Sequence, residues 1–141
     1  PSSADTFLAN GQENLSYVTA WLEQHPDTEF LFFFSPYSIL FWDKMARQGE
    51  TDAMLTLLEE TVETLLPYEN AKLHFYMADP NIITDLDNYA DHIHIAGKVT
   101  YRMAQAMPKN EYLLTAENYT EVLDGLRDFV VHYDYESIFN S

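Results

Sequence analysis

Apolar and polar positions along the chain fall into a few regular patterns. Between Asn10 and Gln24, Leu15, Val18, Trp21 and Leu22 recur at helical spacing, and His25-Pro26 ends the run. Glu29-Phe30-Leu31-Phe32-Phe33-Phe34 is a short, unbroken apolar block closed by Ser35-Pro36. Such a block predicts a strand buried on both faces, as in a parallel sheet. Over residues 51–66, Met54, Leu55, Leu58, Val62, Leu65 and Leu66 share one helical face, with acids on the other. The turn Pro67-Tyr68-Glu69-Asn70 leads to a second predicted strand, Leu73-His74-Phe75-Tyr76. A helix is expected near Ala96–Met107. A last one is expected from about Ala116 to Tyr133, with Thr115 as its N-cap. Its stripe of Tyr119, Val122, Leu123, Leu126, Phe129, Val130 and Tyr133 is the pattern of core packing.

Strand, helix, strand in this order reads as a βαβ unit with a right-handed crossover. The expected class is therefore α/β, a parallel sheet flanked by helices. The 141 residues suit a single domain over 1–141, able to bury about two-thirds of the unfolded surface. Two strands alone make a poor sheet, since both faces and both edges need cover. Further strands are expected from sequence outside this chain, or exposed sheet edges are expected to pair with a second copy. The opening Pro1-Ser2-Ser3-Ala4 carries no initiator Met, which fits a piece of something longer. No internal repeat or Gly/Ser linker interrupts the chain.

Apolar residues make up 47% and aromatics 15%, which excludes a disordered chain. The net charge of −16, from 23 acids against seven bases, disfavours nucleic acid and anionic bilayers as partners. Any cationic patch has to be local. Lys98, Arg102 and Arg127 are the bases placed to gather in the helical C-terminal half. The absence of cysteine excludes a disulfide framework, a thiolate zinc site and a cysteine nucleophile. No apolar run reaches the length of a membrane span, so direct membrane insertion is not expected.

Function in an open α/β sheet sits beyond the carboxyl ends of the strands. Two segments qualify: Ser35-Pro36-Tyr37-Ser38, and the long stretch from Asp79 to His94 with its four Asp and two His. Three chemistries suit the latter. Asp91 and His94, three residues apart, can form a base in which the carboxylate accepts from one imidazole nitrogen while the other faces a nucleophile. His92, His94 and nearby carboxylates can be read as a metal site, without a third histidine ligand, and the Asp spacing misses the calcium-loop pattern. In the third reading His94 packs at a helix and the acids form a solvated rim.

Two motifs in order carry a resemblance: Phe32-Phe33-Phe34-Ser35-Pro36-Tyr37-Ser38-Ile39-Leu40, then Ile83 to His94 with Asn88, Tyr89, Asp91 and His94 in an Asn-Tyr-x-Asp-x-x-His arrangement. Over roughly residues 12–135 the chain resembles the last third of a bacterial SGNH-hydrolase-like family, whose relatives include alginate O-acetylation proteins and, more distantly, the teichoic acid D-alanyl transfer protein. The resemblance implies an incomplete three-layer, flavodoxin-like domain. It also implies a serine nucleophile activated by His94, with Asp91 orienting the imidazole, and transfer or hydrolysis of an acyl ester on a cell-surface carbohydrate. Ser35, Tyr37 and Tyr89 are the expected substrate-lining residues. No cofactor or metal is implied, and an extracytoplasmic or cell-surface location follows by analogy. The chain departs from the family at Ile95, where Tyr is common, and at His92. It also lacks a Gly-Asp-Ser nucleophile block and an oxyanion-donor block. Ser35 and Ser38 lie at the right end of the first strand, but serine after a strand is ordinarily a cap or turn former. Two functions follow: an SGNH-type esterase or O-acyltransferase to which this chain contributes the Asp-His pair and which is inactive in this form, or a non-catalytic carbohydrate-binding or assembly module.

Overall fold

The structure, a computed structural model, describes residues 3–140. Helix α1 (Ser3–Gln24) leads into strand β1 (Phe30–Phe33), followed by helices α2 (Ile39–Gln48) and α3 (Thr51–Leu65) and strand β2 (Ala71–His74). Beyond β2 the chain makes a 3₁₀ turn over Tyr76–Ala78, the single-turn helix α4 (Pro80–Ile83) and a second 3₁₀ turn over Leu86–Asn88. Helices α5 (Gly97–Ala106) and α6 (Tyr119–His132) complete the chain, with short 3₁₀ turns after each.

β1 and β2 pair in parallel, Phe30 opposite Ala71 and Phe33 opposite His74. The chain is thus mostly helical around a small parallel sheet, which is the expected class in coarse form. The crossover carries two helices where the apolar pattern predicted one. α2 is short, and its signals are local. Ser38 caps its first turn, accepting from the Phe41 N–H at 3.4 Å, while Ile39, Trp42 and Met45 form its buried face. Gly49 ends it at φ +70°, a left-handed conformation that a side chain disfavours.

The second strand lies two residues earlier than its apolar run predicted. The Phe34 N–H to His74 carbonyl bond is the last rung to β1, and Pro36 soon after has no N–H to offer. Beyond that rung β2 turns to a different neighbour. Phe75 donates to the Tyr112 carbonyl and Leu114 donates to the Leu73 carbonyl, both at 2.8 Å. Residues 112–114 therefore line the second edge of β2 in antiparallel sense. Both faces of β2 are covered as well, with Leu73 and His74 fully buried.

β1 corrects the expectation of a strand buried on both faces. Phe30 and Phe32 stack and pack against the core, whereas Leu31 and Phe33 are 42% and 45% exposed. As an edge strand it has one neighbour, and its outer edge has no partner among the described residues. Trp21 on α1 likewise faces solvent.

The main core gathers Leu22, Ile39, Trp42, Leu58, Val62, Leu73, Phe75, Leu126 and Val130 from α1, α2, α3, β2 with the residue after it, and α6. The α3 and α6 stripes read from sequence are its walls. A smaller cluster of Tyr76, Val99, Met103 and Ala106 seats α5 against the segment after β2. Regular α6 starts at Tyr119, but Thr115 does cap the turn before it. The Thr115 hydroxyl accepts from the Asn118 N–H at 3.3 Å, and the Asn118 side chain accepts from the Thr115 N–H at 2.8 Å. This is a reciprocal capping box. Arg127 pairs with Asp52 at the start of α3, at 3.2 Å. Among the described residues no helix is long and apolar enough to cross a membrane.

Candidate active site

Short polar side chains shape the segment after β2 by bonding their own backbone. The Asp79 carboxylate caps α4 by accepting from the Asn81 N–H at 2.9 Å, with Pro80 in the first turn. Asp85 starts the next 3₁₀ turn in the same way, accepting from the Asp87 N–H at 3.1 Å. The buried Asn88 side chain donates to the Ile82 carbonyl, and the Asn88 carbonyl accepts from the Ala96 N–H at 2.7 Å. Tyr89 and Ile95 then form an isolated antiparallel bridge, and the Ala90 N–H reaches the His94 carbonyl at 2.8 Å. Residues 90–94 are therefore a tight loop closed at its base, and Asp91 and His94 sit on it.

Asp91 holds that loop from inside. Its Oδ1 accepts from the backbone N–H groups of Ile93 at 2.9 Å and His94 at 2.8 Å. Its Oδ2 lies 2.6 Å from His94 Nδ1. Hydrogen bonds from the Ile93 N–H, the His94 imidazole and the His94 N–H hold the Asp91 carboxyl well below the usual carboxylate range. An ionised carboxylate only accepts, so it assigns the hydrogen to Nδ1. In the neutral ring Nε2 then carries the lone pair. The His94 side chain is 70% exposed, so that nitrogen is open to an incoming group.

Two hydrogen bonds tie the loop to the carboxyl end of β1. The Tyr89 hydroxyl donates to the Pro36 carbonyl at 2.5 Å, and the Ser38 hydroxyl donates to the His92 carbonyl at 2.6 Å. Burial and the nearby Asp85 charge push the Tyr89 phenol up, burial being the larger cause, which keeps it a donor. The two motifs read from sequence are thus brought together in space.

Each of the expected residues has a definite place in the structure. Ser38 is fully buried, caps α2 and anchors the loop, its hydroxyl hydrogen engaged by the His92 carbonyl. Ser35 is half-buried, and no hydroxyl among the described residues hydrogen-bonds His94. Tyr37 packs its ring on Phe41 at 4.4 Å between centroids and against the core. Tyr89 acts as a tether. His92 is exposed on the loop and contributes its carbonyl. Among the described residues no three His, Asp or Glu side chains come together in an arrangement that would hold a metal ion.

On the same segment a cavity of about 230 Å³ opens beyond β2, and neither Asp91 nor His94 lines it. Asp79, Asp85, Arg102, Glu111, Tyr76 and Tyr112 supply much of its wall. Asp79 and Asp85 belong to the stretch from Asp79 to His94 that the sequence marks, whereas Glu111 and Tyr112 arrive from a loop distant in the chain. The one local signal there is Asn110, whose left-handed φ of 58° suits an Asn after a helix.

No family model, curated protein or solved structure matches this chain.

Proposed function

We propose that this chain contributes the Asp91–His94 pair of an SGNH-type serine esterase or O-acyltransferase acting on a carbohydrate ester. The observation that carries the reading is the 2.6 Å bond from His94 Nδ1 to a carboxylate already fixed by two backbone N–H groups, with the opposite imidazole nitrogen exposed. That is the orientation a histidine needs to act as a general base. Its support in sequence is the Asn88-Tyr89-x-Asp91-x-x-His94 motif and its similarity to the SGNH-like family.

In this reading His94 Nε2 takes the proton of a serine hydroxyl as its oxygen attacks the ester carbonyl. Asp91 stabilises the imidazolium that forms. The same proton then passes to the departing alkoxide as the carbon–oxygen bond breaks, leaving an acyl-serine for water or a sugar hydroxyl to resolve. The serine would be contributed by the gene product outside residues 3–140, since no described hydroxyl is bonded to His94. A three-layer SGNH-like sheet, an extracytoplasmic setting and a carbohydrate substrate belong to the same proposal.

The test is labelling of the full gene product with a fluorophosphonate, alongside His94→Ala and Asp91→Asn. The expected result is one labelled serine whose labelling falls sharply in both variants. A folded parent that takes up no label, or variants that label equally well, would overturn the catalytic reading. A non-catalytic carbohydrate-binding module would then be the better account.

A further inference from the structure

We infer that the cavity beyond the carboxyl end of β2 binds a small organic cation, an ammonium group on a short carbon chain. The inference is independent of the Asp91–His94 pair. The space, about 230 Å³, is many times the roughly 10–15 Å³ that a single water needs. Its wall is divided by chemistry. Ile82, Val99, Met103 and Ala106 add apolar lining, against which a hydrated metal ion or a free water finds no hydrogen-bond partner.

The polar side is acidic, and its carboxylates are not equally available. Asp79 has both oxygens engaged, one by the Asn81 N–H and the other by the Tyr112 hydroxyl at 2.5 Å. Asp85 has one oxygen on the Asp87 N–H, which leaves the other without a partner among the described residues. The Glu111 side chain has no hydrogen bond or ion pair among the described residues; its bonds are made by the backbone, whose N–H donates to the Ala106 carbonyl at 3.4 Å and whose carbonyl accepts from the His74 imidazole at 2.8 Å. Two carboxylates with free acceptor capacity therefore face the space.

Tyr76 and Tyr112 also line the space, their rings 4.9 Å apart between centroids. Tyr112 is held at φ +54°, a conformation uncommon for a bulky residue. Its ring is pinned there by the Asp79 bond. An aromatic and acidic lining favours a weakly hydrated organic cation over a strongly hydrated inorganic one. The net charge of −16 raises the local concentration of cations and repels anions. Arg102 is the single base lining the cavity. It is exposed, and it forms no ion pair or hydrogen bond among the described residues. Toward a bound cation it acts as a like charge, which separates the possible ligand classes.

The experiment is a heteronuclear NMR titration of the chain with n-butylammonium chloride, sodium butyrate and glucose in parallel, repeated on Asp85→Asn, Glu111→Gln and Arg102→Ala. Butylammonium should saturably shift amides in residues 76–88 and 99–112 and leave those of α1 and α3 in place. Asp85→Asn and Glu111→Gln should each weaken binding about two- to fivefold, the effect of removing one partly exposed charge pair. Arg102→Ala should tighten it by a similar factor, and added salt should weaken it. Unshifted α1 and α3 signals in each variant report that the fold persists. Absence of butylammonium shifts at these amides would overturn the inference. So would stronger binding of butyrate or glucose, or an Arg102→Ala variant that binds the cation less well.

Discussion

Replacing Ser38 with alanine removes two hydrogen bonds that serve different ends. The hydroxyl accepts from the Phe41 N–H at the start of α2 and donates to the His92 carbonyl in the loop carrying the Asp91–His94 pair. At 3.4 Å the cap bond is long, which places it near the low end of capping energies, about 0.5 kcal/mol. The 2.6 Å bond to His92 is short and lies at a fully buried oxygen, and a bond of that kind contributes about 1 kcal/mol. Ser38→Ala should therefore cost about 1.5 kcal/mol, read in urea denaturation as a midpoint lowered by about 0.5–1 M. The slope of the transition should be unchanged. The loop should also loosen, with amide exchange at Ile93 and His94 faster than in the parent and exchange in α3 unaffected. Full stability in Ser38→Ala, together with loss of fluorophosphonate labelling in the full gene product, would refute the structural role and make Ser38 the nucleophile.

Three further outcomes follow from the same geometry. Asp91 is held below the usual carboxylate range, so its contribution is complete above the ordinary Asp pKa and is lost as pH falls toward the depressed folded value; carboxyl-carbon NMR should find Asp91 among the last acids to protonate, and a titration in step with exposed aspartates would contradict the loop geometry. The hydrogen bond to Asp79, with burial second, holds the Tyr112 phenol up at about 12; ultraviolet titration of Asp79→Asn, which keeps a capping side chain, should return one tyrosine toward the ordinary range, and an unchanged titration curve would disprove the bond. Leu73→Ala at the centre of the sheet should cost about 2–5 kcal/mol, whereas Leu31→Ala on the open face of β1 should cost under about 1 kcal/mol; equal losses by thermal unfolding would mean that β1 is covered on both faces.

Local pattern was enough for elements whose burial follows a helical period. The stripes of α3 and α6 could be read directly because a helix of their length repeats its buried face several times, through Met54 to Leu65 and through Leu123 to Val130. Thr115 was legible as a cap because a hydroxyl three residues before an amide is a local arrangement. Asp91 and His94 were legible for the same reason, since their bond spans only three residues. By contrast, α2 was hidden. Its apolar face is set by only Ile39, Trp42 and Met45, beside a turn that draws the eye as a loop.

Long-range contacts decided the rest. Five successive apolar residues can be a central strand or an edge strand, and only the number of neighbours distinguishes them; β1 has one, so Leu31 and Phe33 stay exposed. The register of β2 moved because its last rung to β1 falls at His74 and its next partners lie at 112–114. Nothing in Ser38 or Tyr89 alone foretells that they meet His92 and Pro36, residues 54 and 53 positions away. Glu111 and Tyr112 join Asp79 and Asp85 around one cavity for the same reason. Hydrogen bonds within a few residues are encoded where they occur, whereas a wall built from separate elements exists only once their packing has brought them together.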